Sequence, residues 1–141
     1  MLIKKKLHDL LVESCPSTPP ETGGIIGGRN NIITVYELDK LSGNCSYSSY
    51  RPNINYLNDI IGEWERNKIE FYGIFHSHYL GGNVLSNPDK EYIQQIMKTV
   101  PSTVLKLYFP LIFPQYCIVP YAAEKIEHSI HIIEDVLTFV D

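Results

Sequence analysis

The sequence predicts one α/β domain over residues 1–141, a sandwich in which helices flank a curved, mostly antiparallel sheet. Three observations carry this expectation. Segments with apolar residues at helical spacing alternate with short runs rich in Ile, Val, Phe and Tyr. Gly and Pro punctuate the boundaries between them. A chain of 141 residues can bury one sizeable core, and this one shows no internal repeat, linker or low-complexity segment.

Taken in order, Leu2 to Glu13 carries Leu2, Ile3, Leu7, Leu10 and Leu11 at helical spacing, which predicts a first helix. Pro16, Pro19 and Pro20 end it and set up an extended approach to Glu21. Glu21 to Gly28 and Ile32 to Leu38 read as strands joined by a hairpin at Gly27-Gly28-Arg29-Asn30-Asn31. Ser42 to Tyr50 is polar and reads as a loop or an edge strand. Asn53 to Lys68 predicts a second helix buried along Ile54, Leu57, Ile61 and Trp64. Glu70 to His76 is aromatic and branched, a buried strand ending at polar residues. A glycine-bearing loop, Tyr79 to Leu85, leads to Ser86 and a third helix over Pro88 to Lys98. Leu105 to Phe109, Tyr116 to Ala122 and Ile126 to Phe139 predict strands with one late turn. Phe109 to Pro114, apolar and proline-punctuated, reads as a loop crossing the core in preference to an exposed docking patch.

Composition narrows the function classes. Twelve Lys and Arg against 16 Asp and Glu give a net charge of −4, without the basic stripe of a nucleic-acid binder. Lys4-Lys5-Lys6 is the one basic cluster and reads as a solvated helix start. No apolar run is long enough to span a bilayer, and Met1 to Val12 is too short and too interrupted for a secretion signal. The expectation is a cytoplasmic protein. Cys15, Cys45 and Cys117 form no Cys-x-x-Cys pair, as expected of free thiols in a reducing compartment. Cys15 lies six residues before Glu21. It reads as a small apolar residue, with a fourth metal ligand or an oxidation-sensitive thiol as the alternative.

The chemistry is concentrated in His76-Ser77-His78, then seven residues, then Ser86-Asn87-Pro88-Asp89. On a strand, residues i and i+2 share a face, so His76 and His78 aim together and Ser77 aims away. A loop that folds back would bring Asp89, in the first turn of the third helix, beside them. Two imidazoles and one carboxylate can hold a zinc ion with its fourth position open to water, the arrangement that separates catalytic from structural zinc sites. The same donors could also hold iron or cobalt. Glu21 could move protons for that water. Each residue also has an ordinary structural reading. Ser86-x-x-Asp89 is close to a capping box, a His-x-His pair can be packed histidines, and Glu21 can be a solvated loop residue. Capping and ligation are compatible, because a cap fixes where Asp89 points.

The pattern of Glu21, His76-Ser77-His78, seven residues, and Ser86-x-x-Asp89 resembles that of the JAMM/MPN+ zinc metallopeptidases. Glu21-Thr22-Gly23-Gly24-Ile25-Ile26-Gly27-Gly28 is similar to that family's Glu-x-Gly-Gly-x-x-x-Gly strand. The resemblance runs from the first helix to the helix after Asp89. It implies a cytidine-deaminase-like α/β sandwich, with His76, His78 and Asp89 as zinc ligands. Glu21 would be the general base and Ser86 the stabiliser of the oxyanion. Ser77 would support the site from behind. The small stand-alone prokaryotic forms imply an isopeptidase-type, deubiquitinase-like activity, cutting after the Gly-Gly tail of a ubiquitin-like or sulfur-carrier protein. A reading from a different class is a weakly catalytic or non-catalytic binding module for such a modifier or its activating enzyme. A third keeps the hydrolysis but directs it at short peptides. Tyr47, Tyr50 and Tyr56 with Arg51 would either contact substrate or bury their ring edges, and a peptide could add as a strand at a sheet edge.

Overall fold

A computed structural model of the chain describes residues 1–18, 21–40, 50–79 and 85–141. The architecture is mixed α/β, with a curled sheet and, among the described residues, three helices. Among the described residues the sheet has ten strands. The first two thirds runs β1 (Leu2–Lys4), α1 (Lys5–Ser14), β2 (Gly23–Arg29), β3 (Ile32–Leu38), α2 (Ile54–Arg66), β4 (Glu70–Ser77) and α3 (Asn87–Thr99). The last third is β5 (Lys106–Tyr108), β6 (Leu111–Phe113), β7 (Cys117–Val119), β8 (Tyr121–Ile126), β9 (Ser129–Glu134) and β10 (Thr138–Val140). The main path of the sheet is β10-β1-β3-β2-β4-β5-β8-β9, and β6 and β7 branch from β4.

Helices cover both faces. Leu7, Leu11 and Val12 of α1 bury against Ile26, Ile33, Tyr72 and Phe75. On the other face, Leu57 and Trp64 of α2 and Ile93 and Met97 of α3 bury against Ile25, Ile74 and Leu107. Alternation along the strands is what feeds both cores: Ile25 and Ile74 point one way, Ile26 and Phe75 the other.

Several expectations are corrected. Leu2 to Lys4 is a strand, because it pairs in parallel with both β10 and β3, and those ladders outweigh the helical spacing. Ile54 is 47% exposed and lines a groove between α2 and α3, while Leu57 and Trp64 do the packing. The sheet is mostly antiparallel, as expected, with the long ladders β2–β3, β2–β4 and β8–β9 antiparallel and only the short β1–β10, β1–β3, β4–β5 and β4–β6 pairings parallel among the described residues. Tyr116 to Ala122 divides into β7 and β8 at Pro120, and Ile126 to Phe139 into β9 and β10. Phe109 to Pro114 lies in the core, as expected, but contains strand β6, which pairs with the end of β4. Cys15 is buried in the core beneath α1, and burial pushes its thiol up to about 12, so it is a packed residue and not a reactive thiol. Cys45, Tyr47, most of the Ser42 to Tyr50 segment and most of the Tyr79 to Leu85 loop lie outside the described residues.

The hairpin between β2 and β3 turns through Asn30 and Asn31, both with positive φ (54° and 62°), a conformation asparagine tolerates and a two-residue hairpin turn demands. Gly73 in β4 answers a different need. A Cβ there would lie 1.8 Å from the Tyr108 carbonyl oxygen of the neighbouring strand, and backbone cannot step aside. Gly73→Ala is therefore expected to destabilise the fold by roughly 2 kcal/mol or more. In a thermal melt this would lower the midpoint by about 5 °C or more, and an unchanged midpoint would contradict the close packing of β4 on β5.

Candidate metal centre

Strand register builds the site. In the β2–β4 ladder Gly23 opposes His76. Continuing that antiparallel pairing by two residues sets Thr22 across from Ser77 and Glu21 across from His78. Two hydrogen bonds hold this extension: Ser77 N–H donates to the Thr22 carbonyl (2.7 Å), and Thr22 N–H donates to Ser77 Oγ (2.8 Å). Ser77 thus faces away from the imidazoles, as the period-two argument expected, and anchors the backbone beside Glu21. On the far side of β4, His76 N–H donates to the Pro110 carbonyl and His78 N–H to that of Ile112. Proline can occupy position 110 because only its carbonyl is used.

The third helix supplies the remaining carboxylate. Ser86 is its N-cap: Asp89 N–H donates to Ser86 Oγ (3.2 Å) and Ser86 N–H donates to Asp89 Oδ2 (3.0 Å), a complete capping box. The same box aims Asp89 at the histidines. Asp89 Oδ2 lies 3.0 Å from His78 Nε2, and Oδ1 lies 3.2 Å from His76 Nε2. The two Nε2 atoms are 3.0 Å apart. Glu21 Oε1 is 3.7 Å from His78 Nε2. All four residues are buried.

These donors fit a metal ion. A tetrahedron with bonds of about 2.0–2.2 Å sets neighbouring donor atoms roughly 3.3–3.6 Å apart, and the imidazole and Asp89 atoms lie within a few tenths of an ångström of that. The two imidazole Nε2 atoms also face one another with an Asp89 oxygen beside each, so nitrogen and oxygen donors gather in one place. Glu21 Oε2 is buried with no hydrogen-bond partner among the described residues, an unsatisfied acceptor on the residue whose Oε1 approaches His78. Two carboxylates compete for the role of third ligand. Glu21, His76 and His78 form a buried group with donor atoms within 4.8 Å of one another. Asp89 approaches both imidazoles more closely than Glu21 approaches either, so Asp89 is the better placed ligand.

The two acids differ in character. Burial raises the Glu21 carboxyl to about 7; the Asp89 charge adds to this and His78 opposes it. Burial works against ionised Asp89 too, but hydrogen bonds with His76 and His78 hold its carboxyl well below the usual carboxylate range. Burial depresses the His76 imidazole, against the pull of Asp89, which favours the neutral ring that ligates metals.

Residues that the motif did not single out complete the surroundings. The Tyr50 ring stacks on His76 at 6.0 Å between centroids and 12° between planes, and its hydroxyl donates to Asp39 Oδ2 (2.7 Å). Tyr50 is thus a core residue and not an exposed substrate contact. The Tyr56 hydroxyl is 3.4 Å from Glu37 Oε1, and Arg51 is exposed. The Tyr92 hydroxyl sits 3.1 Å from His76 Nδ1. Its position three residues after Asp89, on the same helical face, is a signal the sequence carried. Among the described residues, no helix is long and apolar enough to cross a membrane.

No protein-family model matches the chain, and no curated protein does. Solved structures do. A protein of Desulfitobacterium hafniense, determined in solution, is similar with a TM-score of 0.68 and 16% identity, over 99% of this chain and 93% of that one. A protein of Salinibacter ruber is similar with a TM-score of 0.58 and 12% identity, over 100% and 92%. Likeness at this identity establishes a shared fold.

Two outcomes follow from the geometry. Ser77→Ala strands the Thr22 N–H and is expected to cost about 1–3 kcal/mol, seen as a lower urea midpoint at unchanged slope. For Glu21 the effect depends on pH. In the metal-free protein its folded value, about 7, lies above the ordinary 4.5, so the unfolded chain releases the proton first as pH rises. The residue is neutral in its effect below the lower value and weighs fully against folding above the higher one. Glu21→Gln in chelator should match wild type near pH 4 and exceed it near pH 8 by about 1–3 kcal/mol. A difference in urea stability that stays constant across that range would refute the raised carboxyl.

Proposed function

We propose that this chain is a zinc metallopeptidase of the JAMM/MPN+ type. It would hydrolyse the amide bond that follows the Gly-Gly tail of a ubiquitin-like or sulfur-carrier protein in the cytoplasm, on a cytidine-deaminase-like scaffold. The observation that carries the reading is the convergence of His76, His78 and Asp89 donor atoms at 3.0–3.2 Å beside the buried Glu21, from residues placed at the family's spacing.

His76, His78 and Asp89 would hold the metal. A zinc ion there would supply Lewis acidity and make water a usable nucleophile near neutral pH. Glu21 is suited to the proton transfers. Its raised carboxyl can accept a proton at Oε2 and return it to a leaving amine, which an ordinary solvated glutamate does poorly at neutral pH. Asp89 cannot share that task, because its hydrogen bonds keep it ionised. Ser86 accepts the Asp89 N–H as the helix cap, leaving its own hydroxyl proton to donate to an oxyanion developing at the substrate carbonyl. Ser77 holds Glu21 in register from the opposite face of the strand.

The purified protein is expected to bind one equivalent of zinc and to lose it on His78→Ala. Cleavage of a Gly-Gly-tailed ubiquitin-like fusion should stop on chelation and fall about 10²–10⁴-fold in Glu21→Gln, with zinc retained. Ser86→Ala should lower kcat by about 10²–10³-fold. Cleavage that persists through both chelation and Glu21→Gln would end this reading. Turnover of short peptides with none of the fusion would remove the modifier as substrate.

A further inference from the structure

We infer that Tyr92 is the positioning residue for His76, and that its hydroxyl serves the ring in both of the tautomers a metal site requires: as donor to Nδ1 without metal, and as acceptor of the Nδ1 hydrogen with metal bound. This rests on the metal-centre reading above and extends it to the residue behind the first ligand.

The geometry starts with α3. Asp89 and Tyr92 are three residues apart on this helix, so one turn presents the carboxylate and the phenol to the same imidazole. Asp89 Oδ1 meets His76 at Nε2 (3.2 Å) and the Tyr92 hydroxyl meets it at Nδ1 (3.1 Å). Both nitrogens of a fully buried ring are thereby occupied from one element. The Tyr92 ring is itself held edge-on to His76 (5.8 Å, 70°) and to Phe109 (6.1 Å, 71°), which limits how far the hydroxyl can stray.

The chemistry of the partner matters. Neutral imidazole carries one hydrogen, and the other nitrogen is an acceptor. Without metal, Nε2–H can donate to Asp89, so Nδ1 needs a donor. With metal on the Nε2 lone pair, the hydrogen must sit on Nδ1, which needs an acceptor. A carboxylate or a carbonyl behind Nδ1 would serve the second state and leave an unpaired acceptor in the first. A hydroxyl serves both by rotating about its C–O bond. The ring keeps one hydrogen throughout: it leaves Nε2 and appears on Nδ1, and the phenol keeps its own. Burial, with the charges of Asp89 and Glu21, raises Tyr92 well above an ordinary tyrosine, so the group remains a neutral phenol.

Two measurements test this with zinc alone as the probe. Nitrogen NMR of His76 in the wild type should show hydrogen on Nε2 without metal and on Nδ1 with zinc, and it requires no variant to fold. Zinc affinity, by competition with a chromophoric chelator, should fall about 10–100-fold in Tyr92→Phe. Phe109→Leu, which loosens the same packing but spares the hydroxyl, should lose less affinity than Tyr92→Phe. An Nδ1 without hydrogen in the zinc-loaded protein, or a Tyr92→Phe affinity equal to wild type, overturns the inference and leaves the metal centre standing. A wild type that binds no zinc removes the metal centre, and this inference with it.

Discussion

The antiparallel register between β2 and β4 is the constraint on which the rest depends. It is set by six paired positions, Gly23–His76 through Gly28–Glu70, and carried past the end of β2 by the Thr22–Ser77 hydrogen bonds. A slip of one residue would turn His76 and His78 to the opposite face and move Glu21 away from His78. The glycines of β2 make this close pairing feasible. A Cβ at Gly23 would strike the Tyr50 ring at 2.3 Å, and that ring stacks on His76, so the bare backbone at 23 makes room for the support of an imidazole.

The second determinant is the start of α3. Capping and the placement of the Asp89 carboxylate are the same interaction there. Asp89 Oδ2 accepts the Ser86 N–H and faces His78 Nε2, so the helix start and the donor cluster stabilise one another. This coupling explains how two acids in one small buried site acquire opposite properties. Asp89 is tied by several hydrogen bonds and stays ionised, whereas Glu21 has burial without enough compensation and is pushed toward neutrality. Divergent carboxyls of this kind are the arrangement the proposed function draws on.

The elements that sequence patterning recovered are those whose own residues decide them. The hairpin at Asn30-Asn31, the Leu57–Trp64 helix and the Glu70–Ser77 strand combine strong periodicity with explicit turn or cap chemistry. Leu2–Lys4 did not, because a three-residue strand between β10 and β3 takes its stability from partners more than 25 residues away in the chain. Leu111–Phe113 was hidden for a similar reason. Flanking prolines suggest a loop, and pairing with His76–Ser77 on one side and Cys117–Val119 on the other makes the segment a strand.

His76, His78, Ser86 and Asp89 were legible from types and spacing, which imply a shared strand face, a cap and a carboxylate, and Glu21 joined them through the family resemblance. Their surroundings were not. Tyr92 behind His76 and Tyr50 stacked upon it are aromatic residues with ordinary core explanations, and the one local signal is Tyr92's place three residues after Asp89 on the same helix. The linear pattern therefore determined which groups could meet. Packing decided how closely, in what order around the imidazoles, and with which protonation. Those properties depend on distances and desolvation between distant segments, which exist only once the sheet has closed and α3 has docked.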